Sequence, residues 1–342
     1  MPITGSVWPG VLAVLASAAL TAAWIALARR RGIHDSPGQR RLHSVATPRG
    51  GGIAIAIVLA AGMVIWSPVG SGALAAPWWG LATGISLFAL VGLVDDLRPL
   101  PALAKFGGQW IAAAVLAWSL VLGATGASGW LVFALIALAA VYFVNIWNFM
   151  DGSNGLVAVQ SILVALALAC WPGQDTDLRL LAVIVAGAGL GFLPFNLPKA
   201  RVFLGDVGSH VLGAALFGLL YLSWRRGVIG LPAALMLPGA MLADSALTLA
   251  RRAWTGRAVW KAHREHLYQY AVRSGHSHLA TCMAYAAWTA AWSGVALALD
   301  RPRSSFVTWF SFTLCFVVAT VIYVGLRRRW LKPRKDKGTR YD

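Results

Sequence analysis

Charge is scarce in this chain. Only 12% of its 342 residues are Asp, Glu, Lys or Arg, where soluble globular domains carry about 25%, so an ordinary soluble domain is excluded. Acid is scarcer still, with 12 acidic residues against 29 basic ones and a formal net charge of +17. The three cysteines, Cys170, Cys282 and Cys315, have no paired spacing, which argues against a disulfide framework and a thiolate metal site. No polar stretch is long enough for a separate soluble domain, since the longest extramembrane segments fall at about residues 29–49 and 251–278. There is no internal repeat, and no low-complexity tract precedes the basic tail after Leu326.

What fills the chain is apolar: 58% of residues are hydrophobic. Runs long enough to cross a hydrocarbon core, about 17–25 residues each, read at residues 9–28, 50–66, 77–94, 106–123, 129–147, 155–171, 180–196, 207–224, 228–250, 279–299 and 305–326. The expected fold is therefore an all-α, polytopic membrane protein of about eleven transmembrane helices. Residues 1–342 form one transmembrane domain, ending in a basic cytoplasmic tail at 327–342.

Lys and Arg are retained on the cytoplasmic side. With Arg29 to Arg31 inside, 24 of the 29 basic residues fall on inner segments; Arg179, Arg225, Arg226, Arg301 and Arg303 are the exceptions. The N-terminus is expected outside and the C-terminus inside. The first span is expected to stay as an anchor, because its positive charges follow the apolar run, unlike those of a cleavable signal. The high pI of about 10.9 then reflects this inside bias, with anionic lipid headgroups as counterions and no nucleic-acid partner. Trp66, Trp78, Trp79 and Trp130 sit at predicted outer span ends, where amphipathic rings favour the interface. Gly50 to Gly52 and Gly187 to Gly191 read as close helix packing through small residues.

Four short polar clusters interrupt the apolar pattern: Val94–Asp96, Asn145–Gly155, Phe203–Ser209 and His263–Gln269. An even number of crossings separates each from the next, so all four are expected on one side of the bilayer, as one site. Asp95, Asp96, Asp151 and Asp206 lie at inner span ends with few or no basic residues nearby in sequence. A carboxylate in the membrane is costly, about 2.5–3.5 kcal/mol at a helix centre, so four together want a compensating cation. Oxygen ligands at this face suit Mg²⁺, with Mn²⁺ as the alternative, because Mg²⁺ binds through one or two carboxylates plus phosphate and water. The plainer alternative is that each Asp caps a helix or pairs with Arg98 or Arg201.

Asn145 and Asn148 share a helix face, and Gly152 and Gly155 let backbone amides approach a ligand, although a tight helix-to-helix turn needs Asn, Asp and Gly as well. The segment from Pro194 to Asp206 brings Asn196, Lys199, Arg201 and Phe203 to the start of a new helix. Cations and helix N-terminal amides for phosphate, with a ring for a base, suit a nucleotide diphosphate. Against that, Lys199 and Arg201 read equally as positive-inside residues and Phe203 as an interface anchor. His263-Arg264-Glu265-His266 puts two histidines at i and i+3. Zinc is one reading, but no third ligand lies nearby in sequence, and contact with phosphate or substrate is preferred.

In this order, the clusters resemble the polyprenyl-phosphate N-acetylhexosamine-1-phosphate transferase family, whose members start peptidoglycan, teichoic acid and O-antigen lipid intermediates. The likeness runs from about His34 to His278 through HDSPGQRRLHSVATPRGGG, the Asp95-Asp96 pair, NFMDGSNGL, FNLPKARVFLGDVGSHVLG, and Asp244 with Arg251-Arg252. It implies transfer of a sugar 1-phosphate from a UDP-N-acetylhexosamine to undecaprenyl phosphate, with release of UMP, Mg²⁺ as cofactor, and a site on the cytoplasmic face of a bacterial inner membrane. By motif, Asp206 and Asp151 become metal ligands, Asp95 and Asp96 the acidic pair at the metal and lipid phosphate, and Asn148 a substrate contact. Gly152 to Asn154 and Phe203 match the region that holds uracil; from the histidine loop, His263 and His266 are read as catalytic residues and Arg264 as a substrate contact.

HREHLYQ departs from the adjacent histidines of the peptidoglycan branch and resembles the O-antigen and capsule initiating branch, which disfavours UDP-MurNAc-pentapeptide. Asn154 stands where many relatives carry aspartate. Expected partners are the UDP-sugar, undecaprenyl phosphate, membrane lipids and a second copy as a homodimer. The alternative class, a secondary transporter with a carboxylate ion site, calls for midplane sites and inverted repeats that the sequence does not display.

Overall fold

The computed structural model describes residues 4–35, 46–66, 75–121, 127–259, 263–300 and 306–331. Part of the HDSPGQRRLHSVATPRGGG segment (36–45), Arg301, Arg303 and the tail from 332 onward lie outside the described residues.

The described chain is a helical bundle: α1 (Thr4–Arg31), α2 (Ile53–Ile65), α3 (Ala75–Leu97), α4 (Ala102–Val121), α5 (Ala127–Met150), α6 (Leu156–Ala169), α7 (Thr176–Asn196), α8 (Gly205–Arg225), α9 (Leu231–Met236), α10 (Gly239–Trp254), α11 (Leu267–Arg273), α12 (His278–Leu299) and α13 (Phe306–Leu331). One antiparallel strand pair, β1 (His34–Asp35) with β2 (Thr47–Pro48), pins the α1–α2 connection.

Among the described residues, seven helices are long and apolar enough to cross a membrane: α1, α3, α5, α7, α8, α12 and α13. The other four expected spans look different. At about 1.5 Å per residue, α2 with 13 residues and α6 with 14 are short of a hydrocarbon core: Gly50 to Gly52 lie ahead of α2, and α6 ends at Ala169. Helix α4 has the length, but Lys105 and Gln109 make its first half polar. The span expected at 228–250 is broken into α9 and α10 at Leu237-Pro238, since proline supplies no amide hydrogen to continue the ladder.

Helix α8 is the axis of the bundle, with 89% of its apolar window buried against α3, α5, α6 and α7. Small residues allow this. A Cβ added at Gly52 would strike the backbone of Gly208, so α2 begins where it nearly touches α8. One tryptophan expected at the interface is internal: Trp78 is 5% exposed and donates its indole N–H to Met63 O at 2.9 Å, whereas Trp79 and Trp130 are exposed.

Helices alternate in direction, so the ends of α1, α3, α5 and α7 meet the starts of α2, α4, α6 and α8 at one end of the bundle. All four polar clusters converge there. The alternation expected from the apolar runs is what gathers them.

Candidate active site

Asp95 and Asp96 close α3, and the helix turns them to different tasks. Asp96, only 5% exposed, accepts hydrogen bonds from Asp206 N at 3.1 Å and Val207 N at 3.0 Å. It therefore caps α8, satisfying two of the amides that a helix start leaves unpaired. Gly205 has φ +77°, and a Cβ there would run into the Asp96 carboxylate, which makes glycine necessary on both counts. Asp95 accepts from Leu100 N at 2.7 Å, closing the α3–α4 turn, while its Oδ2 lies 3.2 Å from Lys105 Nζ.

Lys105 is the residue that sequence reading undervalued, counting it only as a positive-inside charge. From α4 its ammonium bonds both Asp95 and Asp206. Asp206 in turn accepts from Asn148 Nδ2 at 2.9 Å, and the same amide reaches Ser209 Oγ at 3.2 Å. The partner expected for an isolated Asp, Arg98 or Arg201, is thus Lys105, ten residues beyond Asp95 at the start of the next helix. That position on the facing helix was the available signal.

A cavity of about 320 Å³ opens beside this cluster, lined by Asp96, Asp151 and Asp206 together with Arg49, Arg264, Phe203, Asn154 and Gln269. Asp151 lies in the turn between α5 and α6, half-buried at the cavity wall. Burial, then the nearby carboxylates of Asp206 and Asp96, push its proton affinity well above the usual carboxylate range. Negative charge here exceeds what Lys105 compensates, and the donors are hard oxygens. Among the described residues no three His, Cys, Asp or Glu side chains are grouped to hold a metal. Asp151 and Asp206 both border the cavity and are hard oxygen donors of the kind that suit Mg²⁺ alongside phosphate and water.

Several expected substrate contacts have structural partners of their own. Asn196 accepts from Gly155 N at 2.6 Å and donates to Val202 O at 2.9 Å, clasping the start of α6 to the chain before α8 while still edging the cavity. Gly152 also lines the cavity, and a side chain there would collide with Tyr268 Oη. Asn154 donates to Pro198 O at 3.3 Å. Lys199 is exposed; Arg201 stacks 4.6 Å from the Phe195 ring centroid and donates to Pro194 O at 2.8 Å. Neither borders the cavity. Its bordering cations are Arg49 and Arg264.

The histidine loop is built on Asp244. Fully buried in α10, Asp244 accepts from Leu267 N at 2.8 Å, Tyr268 N at 3.3 Å and Tyr285 Oη at 2.6 Å, so it anchors the start of α11. His266 is 2% exposed, 3.6 Å from Asp244 Oδ1, and caps α11 reciprocally with Gln269. His263 is half-buried with its ring 4.9 Å from that of His266. Burial, with His266 and Arg252 nearby, lowers its pKa to about 4. Neither histidine lines the cavity; Arg264 between them does, and so do Gln269, which closes the fourth cluster, and His278, which the sequence did not single out. Glu265 is clamped by Arg251, Arg252 and Arg257.

Residues 78–223 match the model of glycosyl transferase family 4, a stretch that holds the aspartate and asparagine clusters and stops short of the histidine loop. The chain is 31% identical to a decaprenyl-phosphate N-acetylglucosaminephosphotransferase of Mycolicibacterium smegmatis over 75% of its own length and 72% of that protein. It is 26% identical to a probable undecaprenyl-phosphate N-acetylglucosaminyl 1-phosphate transferase of Bacillus subtilis, over 74% of this chain and 73% of that one. A phospho-N-acetylmuramoyl-pentapeptide-transferase of Moorella thermoacetica is 34% identical over 57% of this chain and 66% of its own. The chain belongs to glycosyl transferase family 4, and within it to the membrane enzymes that pass a phospho-N-acetylhexosamine to a polyprenyl phosphate.

Proposed function

We propose that the protein transfers N-acetylhexosamine 1-phosphate from a UDP-N-acetylhexosamine to undecaprenyl phosphate in a bacterial inner membrane. The site would face the cytoplasm, UMP would be released, and a lipid-linked cell-surface glycan would begin. The observation that carries this reading is one cavity bordered by both Asp151–Asp206 and Arg49–Arg264, which provides for a cation and for a diphosphate side by side. Relatives named for N-acetylglucosamine make that epimer the first donor to test.

An oxygen of the lipid phosphate attacks the sugar-bearing phosphorus of the donor, that phosphorus–oxygen bond forms, and the bond to UMP breaks. A phosphate monoester has a second pKa of about 6, so the acceptor is mostly dianionic at neutral pH and needs no strong base. Positioning and charge neutralisation then dominate, as in other phosphoryl transfers. Lys105 holds Asp95 and Asp206 in place, Arg49 and Arg264 meet the donor phosphates, and the Phe203 ring offers a face to the base. Asp206 and Asp151 would hold Mg²⁺, which when bound neutralises charge on the diphosphate.

The test is to incubate membranes containing the protein with labelled UDP-N-acetylglucosamine or UDP-N-acetylgalactosamine and undecaprenyl phosphate, following UMP and labelled lipid. Equimolar UMP and a lipid diphosphate product are expected. Free sugar phosphate without lipid product, or no turnover with any UDP-N-acetylhexosamine by folded protein, would overturn the assignment.

A further inference from the structure

Beneath the Lys105–Asp206–Asn148 cluster lies a second polar layer on the same three helices. Gln109 follows Lys105 by one turn on α4, His210 follows Asp206 by one turn on α8, and Asn145 precedes Asn148 by one turn on α5. Each therefore sits about 4.5–6 Å further from the bundle end. The three side chains bond to one another. Asn145 Nδ2 donates to Gln109 Oε1 at 2.9 Å, and Gln109 Nε2 approaches His210 Nε2 at 3.0 Å. Because the Gln109 oxygen is the acceptor from Asn145, its amide nitrogen is the donor toward the imidazole. Asn145 is further tied to Val141 O at 2.8 Å.

Stability gives little reason for this layer. Gln109 is 1% exposed and His210 fully buried, with the Phe88 ring 6.4 Å from the imidazole. Buried polar groups repay their desolvation only when every partner is in place, and an apolar filling of the same volume is often at least as stable. What the layer supplies is directional: hydrogen bonds across α4, α5 and α8 fix how those helices are rotated and how far apart they stand. Lys105, Asp206 and Asn148 hang from the same three helices one turn above.

We propose that Gln109, Asn145 and His210 form a positioning layer that sets the geometry of Lys105, Asp206 and Asn148 for phosphoryl transfer, without touching substrate. This rests on the transferase reading of the site. Misplacement of reacting groups by about 1 Å can slow a reaction about a hundredfold, so the layer acts on turnover more than on donor binding.

The experiment is steady-state kinetics of the full-length protein in membranes, comparing wild type with Gln109→Met, His210→Leu and His210→Gln, alongside thermal midpoints in detergent. Gln109→Met and His210→Leu should lower kcat about ten- to a hundredfold while KM for the UDP-sugar stays within about threefold. His210→Gln, which keeps an acceptor near the Nε2 position, should recover most of the turnover lost in His210→Leu. Should His210→Leu fail to fold, Gln109→Met against His210→Gln carries the same comparison. Wild-type kcat in Gln109→Met or His210→Leu would overturn the proposal, as would His210→Gln no better than His210→Leu. Absence of wild-type turnover would instead refute the transferase reading, so the two failures are separable.

Discussion

Lys105 Nζ lies 3.2 Å from Asp95 Oδ2 and bonds Asp206 with the same ammonium, so one cation from α4 ties the end of α3 to the start of α8. Both its partners are carboxylates of the site. Lys105→Met should therefore reduce turnover about a hundredfold or more, with Lys105→Arg retaining part of it, measured as UMP release. Wild-type rates in folded Lys105→Met would refute the role.

The adjacent aspartates should separate by phenotype. Asp96→Ala leaves the amides of Asp206 and Val207 without their acceptor and is expected to cost about 1–3 kcal/mol, read as a lower thermal midpoint in detergent. Asp95→Asn should lose turnover with a smaller change in midpoint, because its main ionic partner is the partly accessible Lys105. Equal midpoints for Asp96→Ala and wild type would contradict the capping role.

Metal removal gives the third prediction. Turnover should stop in EDTA and return with Mg²⁺ or Mn²⁺, and Asp206→Asn should remove most of it, since an amide is a weaker ligand for a hard cation. Thermal stabilisation of the wild type by Mg²⁺ should shrink in Asp151→Asn. Full activity in EDTA would sink the metal assignment.

The histidines make opposite predictions for zinc and for pH. Purified protein should contain no stoichiometric zinc, and metal analysis of wild type and His266→Ala should agree. His263 is held near pKa 4, below its unfolded value of about 6.5. The folded state thus resists its protonation, and the cost appears only as pH falls. Wild type should lose stability between about pH 6.5 and 4, and His263→Gln should lose less; identical midpoint–pH curves would reject this.

Topology is testable with single cysteines. Arg257 follows α10 at the site end of the bundle, and Arg225 closes α8 at the other end. Labels that cannot cross the membrane should reach Arg225→Cys from outside and Arg257→Cys only after permeabilisation. Labelling of both from one side would break the arrangement.

The sequence by itself determined that the chain is a helical membrane protein, because long apolar runs with so little charge have no other stable solution. It also determined which clusters gather, since helix direction alternates with each run: Asp95, Asp96, Asn148, Asp151 and Asp206 meet at one bundle end for that reason alone. The partner of each side chain was decided by tertiary structure. Consecutive helical residues point about 100° apart, a consequence of 3.6 residues per turn, so Asp95 turns to Lys105 while Asp96 caps α8. Lys199 and Arg201 read as phosphate-binding cations by proximity in sequence, yet Arg49 and Arg264 border the cavity, brought there from distant segments. His266 reads as a substrate contact and is instead buried beside Asp244, twenty-two residues earlier on α10. Composition and periodicity fix which bundle end a cluster reaches; the packing of α8 against α3 and α5 fixes rotation, and rotation chooses which of several polar neighbours a carboxylate meets.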